Sequence, residues 1–200
     1  MALLVAALLP PDPWKDARRL RGSYLTQLSE VVRETADAVR AGSGTEAAEA
    51  LGCGRLLEPV LTRWEAAIET GAETTRISPL RRGDSTAEAR LLLGLTRATR
   101  NLRVLVRRTM VALETGDALP PAMPGLLDEL ATILEPGTSA HDAVGRLTEL
   151  ASRLDPVTLE ADSLSGQVVV AQLRDVVIDL LEGLGLDPDR ARASVPTLQP

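Results

Sequence analysis

The most informative feature of this 200-residue sequence is its lack of aromatic residues. It contains no phenylalanine, two tryptophans and one tyrosine. A core without phenylalanine has to be built from Leu, Val, Ile and Ala, and such a composition favours packing of helix on helix. Hydrophobic residues make up 44% of the chain, which is enough for the core of one ordinary domain. We therefore expect an all-α fold.

Residues that could carry catalysis are also scarce, because the chain has one cysteine, Cys53, and one histidine, His141. A single cysteine excludes an internal disulfide and fits a reducing compartment. The pair His141-Asp142 lacks the further histidines that a metal phosphohydrolase site needs. Cys53 has no histidine base nearby in sequence, and no glycine-rich phosphate-binding motif is present. We therefore predict a protein that is not an enzyme and has no metal or cofactor.

The charge balance excludes another class of function. The formal net charge is −6 at pH 7. Nonspecific binding to nucleic acid needs a basic surface, so we predict no nucleic-acid partner. Three acidic residues, Asp175, Asp179 and Glu182, follow one face of the last long helix, where carboxylates could in principle hold a divalent cation. A solvated face paired with arginines is the simpler interpretation, and we predict that one.

Apolar residues at three- and four-residue steps predict about six helices in an elongated antiparallel bundle. Capping boxes mark three helix starts, at Ser43, Ser85 and Ser139, and Gly116 marks the end of the longest helix. Glycines and Pro59 predict a kink or break near residues 52–59. We expect three long helices at about 12–41, 45–75 and 84–116, and three shorter helices at about 120–135, 139–154 and 165–184.

The longest helix carries a row of arginines opposite its apolar face, consisting of Arg97, Arg100, Arg103, Arg107 and Arg108. One interpretation is a set of exposed ion pairs with neighbouring helices, each contributing roughly 0 to 1 kcal/mol. The other interpretation is a docking surface for anionic lipid headgroups or for the acidic face of a partner. The row alone does not choose between the two.

A candidate pocket lies at the irregular segment 52–59. Trp64 follows this segment by one turn of helix, and Cys53 lies within it. A large aromatic ring beside a break in a helix can line an apolar cavity. We therefore name Trp64 and Cys53 as a candidate pocket of a small-molecule-sensing bundle.

The two ends of the chain differ in composition from the helical part. Residues 1–11 begin with the apolar run MALLVAALL, which is too short to span a bilayer. The run fits a buried N-terminal segment, the inner end of a membrane helix, or a weak interfacial anchor. The switch to PPDPWKDARRLRG, with Trp14 beside basic residues, favours the end of a membrane helix at its cytoplasmic side. Residues 186–200 predict a mostly disordered tail with one helical turn at 189–193.

Two strings in the chain carry a resemblance to a known family. The string TRATRNLRVLVRRTMVALETGDALPP and the later QVVVAQLRDVVIDLLEGLGLDPDRAR resemble the soluble C-terminal part of bacterial membrane proteins of the fusaric acid resistance and aromatic acid exporter family. The opening LLVAALLPPDP looks like the end of a last membrane helix, and LEPVLTRWEAAIETGAETTRISPLRR is similar to a cytosolic helix with its connecting turn. The similarity covers roughly residues 3–193.

This resemblance implies a role that the composition does not show. It implies a non-catalytic cytosolic domain, residues 12–185, at the cytoplasmic face of the bacterial plasma membrane, with a part in assembly or regulation of a transporter. The implied partners are the membrane-spanning part of the same protein, further copies of the chain, and anionic lipid headgroups. The alternatives are a free-standing helical scaffold that binds a partner protein and a small-molecule-sensing bundle.

Overall fold

The computed structural model describes residues 12–77 and 85–197. These residues contain α-helices and no strand, which confirms the all-α prediction. Eight helices are present in the described ranges. They are α1 (Lys15–Ala41), α2 (Gly44–Arg55), α3 (Glu58–Ile77), α4 (Ser85–Thr115), α5 (Met123–Ile133), α6 (Ala140–Ser152), α7 (Leu164–Gly183) and α8 (Pro188–Ala193).

The predicted helix at 45–75 is two helices, and the break lies inside the segment where it was expected. Helix α2 ends at Arg55 and α3 begins at Glu58. Pro59 falls at the second position of α3, where the missing N–H has no partner to lose. Leu57 is buried between the two helices. The chain therefore changes direction at the break, and Leu57 remains in the core.

Side-chain caps mark several of the helix starts. The Oγ of Ser43 accepts the N–H of Glu46 at 3.2 Å, and the Oγ of Ser139 accepts the N–H of Asp142 at 3.1 Å. Both caps were predicted. A third, which we did not predict, is Ser163, whose Oγ accepts the N–H of Gly166 at 2.8 Å. Ser85, which was also predicted as a cap, is the first residue of α4, and the position before it lies outside the described residues.

Helix α4 lies at the centre of the bundle and packs against α7, α2, α3 and α1. Its contact with α7 is the most extensive helix pair in the fold. The two helices run antiparallel, since Asp117 beyond the end of α4 bonds Ser165 at the start of α7, and Gly94 meets Gly183 at the other end. Helix α5 packs on α1, and α6 joins α5 to α7. Residues 120–185 therefore share one core with the first three helices.

The last residues correct a prediction, because the expected disordered tail is ordered as far as residue 197. Asp187 caps the short helix α8, whose Ala191 is fully buried. The guanidinium of Arg174 donates to the carbonyl oxygens of Leu154 and Pro196 at 2.7 and 2.5 Å. Burial lowers the pKa of Arg174. Contacts with α7 hold the tail in place, and the polar composition of the tail does not predict them.

The structure places the apolar positions of the helices in the interior and leaves no long apolar helix outside. In residues 12–77 and 85–197, no helix is both long and apolar enough to cross a bilayer. The predicted juxtamembrane segment, residues 1–11, lies outside the described residues.

Candidate functional site

Five of the arginines of α4 form a largely exposed row, which we call the basic face: Arg97, Arg100, Arg103, Arg107 and Arg108. Two of them make ion pairs, Arg97 with Glu182 at 3.3 Å and Arg103 with Glu58 at 3.3 Å. The other three have no ion pair to a described residue. Arg97 and Arg103 are thus paired with neighbouring helices, whereas Arg100, Arg107 and Arg108 are open to solvent.

Exposed apolar side chains lie beyond both ends of the basic face. Leu93 is 52% exposed and Val111 is 39% exposed, although both are large hydrophobic residues. Both lie on the same side of α4 as Arg100, because positions 93, 100, 104, 107 and 111 follow one stripe at 3.6 residues per turn. The open part of α4 therefore combines fixed positive charge with exposed apolar surface.

Two acidic residues of α7 bond polar side chains of α4 and so join the two helices. The amide Nδ2 of Asn101 donates to Asp179 at 2.8 Å, and Glu182 is paired with Arg97. Burial raises the pKa of Asp175 and of Asp179. No group of acidic, histidine or cysteine side chains in the described residues has the arrangement of a metal site. His141 lies exposed in the first turn of α6.

The structure does not join Trp64 and Cys53 into a pocket. Trp64 has no exposed surface, and its ring packs beside that of Tyr24 with centroids 6.1 Å apart. Cys53 is exposed on α2. Burial, followed by the carboxylate of Glu34, raises the pKa of the Cys53 thiol. The break between α2 and α3 is filled by core side chains, so the space expected beside Trp64 is occupied.

A cavity does exist at the other end of the bundle, and we call it the end cavity. It has a volume of about 360 Å³ and lies between α1, α4, α6, α7 and the turn that follows α5. Its walls are mostly aliphatic, and Arg18, Arg21, Glu135 and Thr138 add polar side chains. The leucine, isoleucine and alanine residues that line it are Leu25, Leu91, Leu95, Ile133, Leu134, Ala140, Ala143, Leu147, Leu180 and Leu184.

Two arginines of α1, Arg18 and Arg21, line the end cavity and also an adjoining cleft of about 270 Å³. The cleft is further lined by Trp14, Glu88 and Arg90. Arg21 forms an ion pair with Glu88, and Arg18 forms one with Asp12. The Oε2 atom of Glu88 is buried and has no hydrogen-bond partner among the described residues. A polar edge thus borders an apolar interior.

Sequence reasoning missed the end cavity because five separate segments build it. The only local signal was the three-residue spacing of Arg18 and Arg21, which places both on one face of α1. We had assigned these arginines to a membrane boundary. Their position beside a cavity follows from the packing of α6 and α7 against α1 and α4, which no local pattern reports.

Comparison with known proteins gives one informative similarity. The chain is 28% identical over 214 residues to an uncharacterized protein of Corynebacterium glutamicum, and the aligned region covers 98% of this chain and 55% of the relative. The chain therefore spans about half the length of the curated relative it matches. No protein-family model matches the chain. No solved structure matches it either.

Proposed function

We propose that this chain is the non-catalytic cytosolic domain of an efflux-type membrane transporter, in which it acts in assembly or regulation of the membrane-spanning part. The type of transporter is the one that the resemblance implies, a member of the fusaric acid resistance and aromatic acid exporter family. In this proposal the domain lies at the cytoplasmic face of the bacterial plasma membrane.

The observation that carries the proposal is where the two strings that resemble the family lie in the fold. The first of the two strings covers most of α4, and the second covers most of α7 and of α8. Helices α4 and α7 form the most extensive contact in the bundle. The residues that carry the resemblance are therefore the ones that build the centre of the domain.

The experiment that tests the proposal is fractionation of cells that express the complete gene product containing this chain. The proposal expects the product in the membrane fraction, retained after washing with high salt and with alkaline carbonate. A product that stays in the soluble fraction would overturn the proposal and would favour the alternative of a free-standing scaffold.

As part of the assembly role, we further propose that the basic face lies against the membrane surface. Arg100, Arg107 and Arg108 have no ion pair to a described residue, so docking breaks none of those described. Each basic side chain near an anionic leaflet contributes about 1 kcal/mol, and the interaction weakens within a Debye length. The exposed Leu93 and Val111 add apolar contact along the same stripe.

Co-sedimentation with vesicles of mixed neutral and anionic lipid tests this surface. The double variant Arg100→Glu with Arg107→Glu should weaken binding at low salt, and raising the salt should weaken binding of the unaltered chain. The matched control is Arg55→Glu with Arg63→Glu, which makes the same change in net charge on exposed positions of α2 and α3. Equal weakening by both double variants would show a net-charge effect and would remove the basic face from the proposal.

A further inference from the structure

We infer that the end cavity binds a small organic anion with a compact apolar body and one carboxylate. This inference names a ligand class for the regulatory role, and it rests on the proposed function only for its physiological meaning. Binding to the cavity is a property of the described fold and can be measured on the chain alone.

The apolar body of the ligand follows from the walls. Ten leucine, isoleucine and alanine side chains from five helices and the turn after α5 line a space of about 360 Å³. This volume lies in the range of about 300 to 1,000 Å³ that is typical of small-molecule sites. A site of this kind is mostly apolar, with a few polar groups that fix orientation. A ligand without an apolar part would leave these walls uncovered.

The anionic group follows from the edge. Arg18 and Arg21 line the end cavity, and Arg90 joins them at the adjoining cleft. Glu88 is the one carboxylate that lines this cleft. Glu135 lines the end cavity and is paired with Arg33, which lines neither space. Three guanidinium groups against two carboxylates leave positive charge at the edge, and Asp12, the partner of Arg18, also lines neither space. An anion is therefore favoured over a cation.

Arg21 is the group that we assign to the carboxylate of the ligand. Its Nη1 contacts Glu88, and its other N–H groups have no partner among the described residues. A guanidinium has five N–H donors in a fixed fork, so it can hold a second carboxylate in a bidentate arrangement. Its side chain is 33% exposed, which keeps it partly desolvated and within reach of a ligand.

The same chemistry could come from a free organic acid or from a fatty acid. Isothermal titration calorimetry with octanoate and with 1-naphthoate measures binding of a flexible and of a flat apolar body. Palmitate, whose chain is longer, separates the fatty-acid source from the others. Octanol and 1-naphthalenemethanol have similar bodies without charge. We expect a carboxylate to bind roughly tenfold or more tightly than its alcohol.

The decisive variant is Gly22→Leu, which adds a side chain at the wall of the cavity. Gly22 lines the end cavity, and a Cβ built on it has no neighbouring atom within 4 Å. Leucine is also the better helix former. We expect Gly22→Leu to melt no lower than the unaltered chain and to lose binding by at least roughly tenfold. The matched control is Gly52→Leu in α2, which also has open space and should bind normally.

A second variant tests the polar edge. Replacing Arg21→Gln together with Glu88→Gln removes both charges of the ion pair, so that no charge is left unpaired. We expect this variant to bind octanol as before and to lose its preference for octanoate. No binding of any probe at millimolar concentration by the folded chain would overturn the inference, as would unchanged binding by Gly22→Leu. Either result leaves the membrane location of the complete gene product untouched.

Discussion

The contact between Gly94 of α4 and Gly183 of α7 makes a sharp prediction about the core. A Cβ added to Gly94 would lie 2.7 Å from the carbonyl oxygen of Asp179 and 2.9 Å from the backbone nitrogen of Gly183, and closer still to the Gly183 Cα. All three are backbone atoms, so no side-chain rotation can relieve the clash. We predict that Gly94→Ala destabilises the fold by forcing the two helices apart.

The magnitude is the difference of two opposing effects. Alanine is favoured over glycine inside a helix by about 0.8 to 1 kcal/mol. Overpacking of a core costs about 1 to 3 kcal/mol, and a backbone clash across the most extensive helix pair belongs at the upper end. The net loss is therefore about 2 kcal/mol, which lowers the Tm of a chain of this size by about 4 to 8 °C.

Urea unfolding followed by circular dichroism measures this loss. Gly183→Ala should cost less, since its Cβ would lie 3.1 Å from the Gly94 Cα. Gly52→Ala is the matched control, because its Cβ would meet nothing within 4 Å, and it should gain up to about 1 kcal/mol. If Gly94→Ala were as stable as Gly52→Ala, the close approach of α4 and α7 would be refuted.

Three further predictions concern buried polar groups. Burial raises the pKa of Tyr24 to about 12, so stability present below pH 10 should fall by about 3 kcal/mol as the pH rises to 12, and urea unfolding of Tyr24→Phe should lack that loss. The Oγ1 of Thr109 is fully buried and has no hydrogen-bond partner among the described residues, and Thr109→Val should raise the free energy of unfolding by about 1 kcal/mol in a thermal melt. Burial raises the pKa of Asp179, so the charged carboxylate destabilises the folded state at neutral pH, and this destabilisation disappears as the pH falls through the folded pKa. Asp179→Asn should therefore stabilise the fold at pH 7 and lose that advantage in acid. Urea titrations at both pH values measure the difference.

The fold was predictable to the extent that its determinants are local. The caps at Ser43 and Ser139 and the left-handed Gly116, with a φ of +74°, are set by a few neighbouring residues, and the structure has all three. The break before Glu58 follows from Pro59 and the glycines that precede it. The apolar stripe of α4 is equally local: Leu95, Ala98, Leu102, Leu105 and Val106 recur at steps of one, three and four residues, and all five are buried.

What the sequence did not reveal depends on contacts between distant segments. The tail after residue 186 looks polar and short, yet Ala191 is buried because α7 offers a surface for it. Trp64 was expected beside open space, but Tyr24, 40 positions earlier in the chain, packs on it. The end cavity needs α6 and α7 to lie beside α1. Hydrophobic periodicity predicts which face each helix buries, but it does not predict the space that remains between packed helices.

The location of the domain is tested most directly by Cys53, which is the one cysteine of this chain and is exposed. In cells that express the complete gene product, with any other cysteine replaced, a membrane-impermeant maleimide at mildly alkaline pH should label Cys53 only after the membrane is opened. The alkaline pH compensates for the raised pKa of the thiol. Cys53→Ser gives the background. Labelling in intact cells would contradict the cytosolic location, whereas labelling only after opening, together with a product in the membrane fraction, is the result that the proposal predicts.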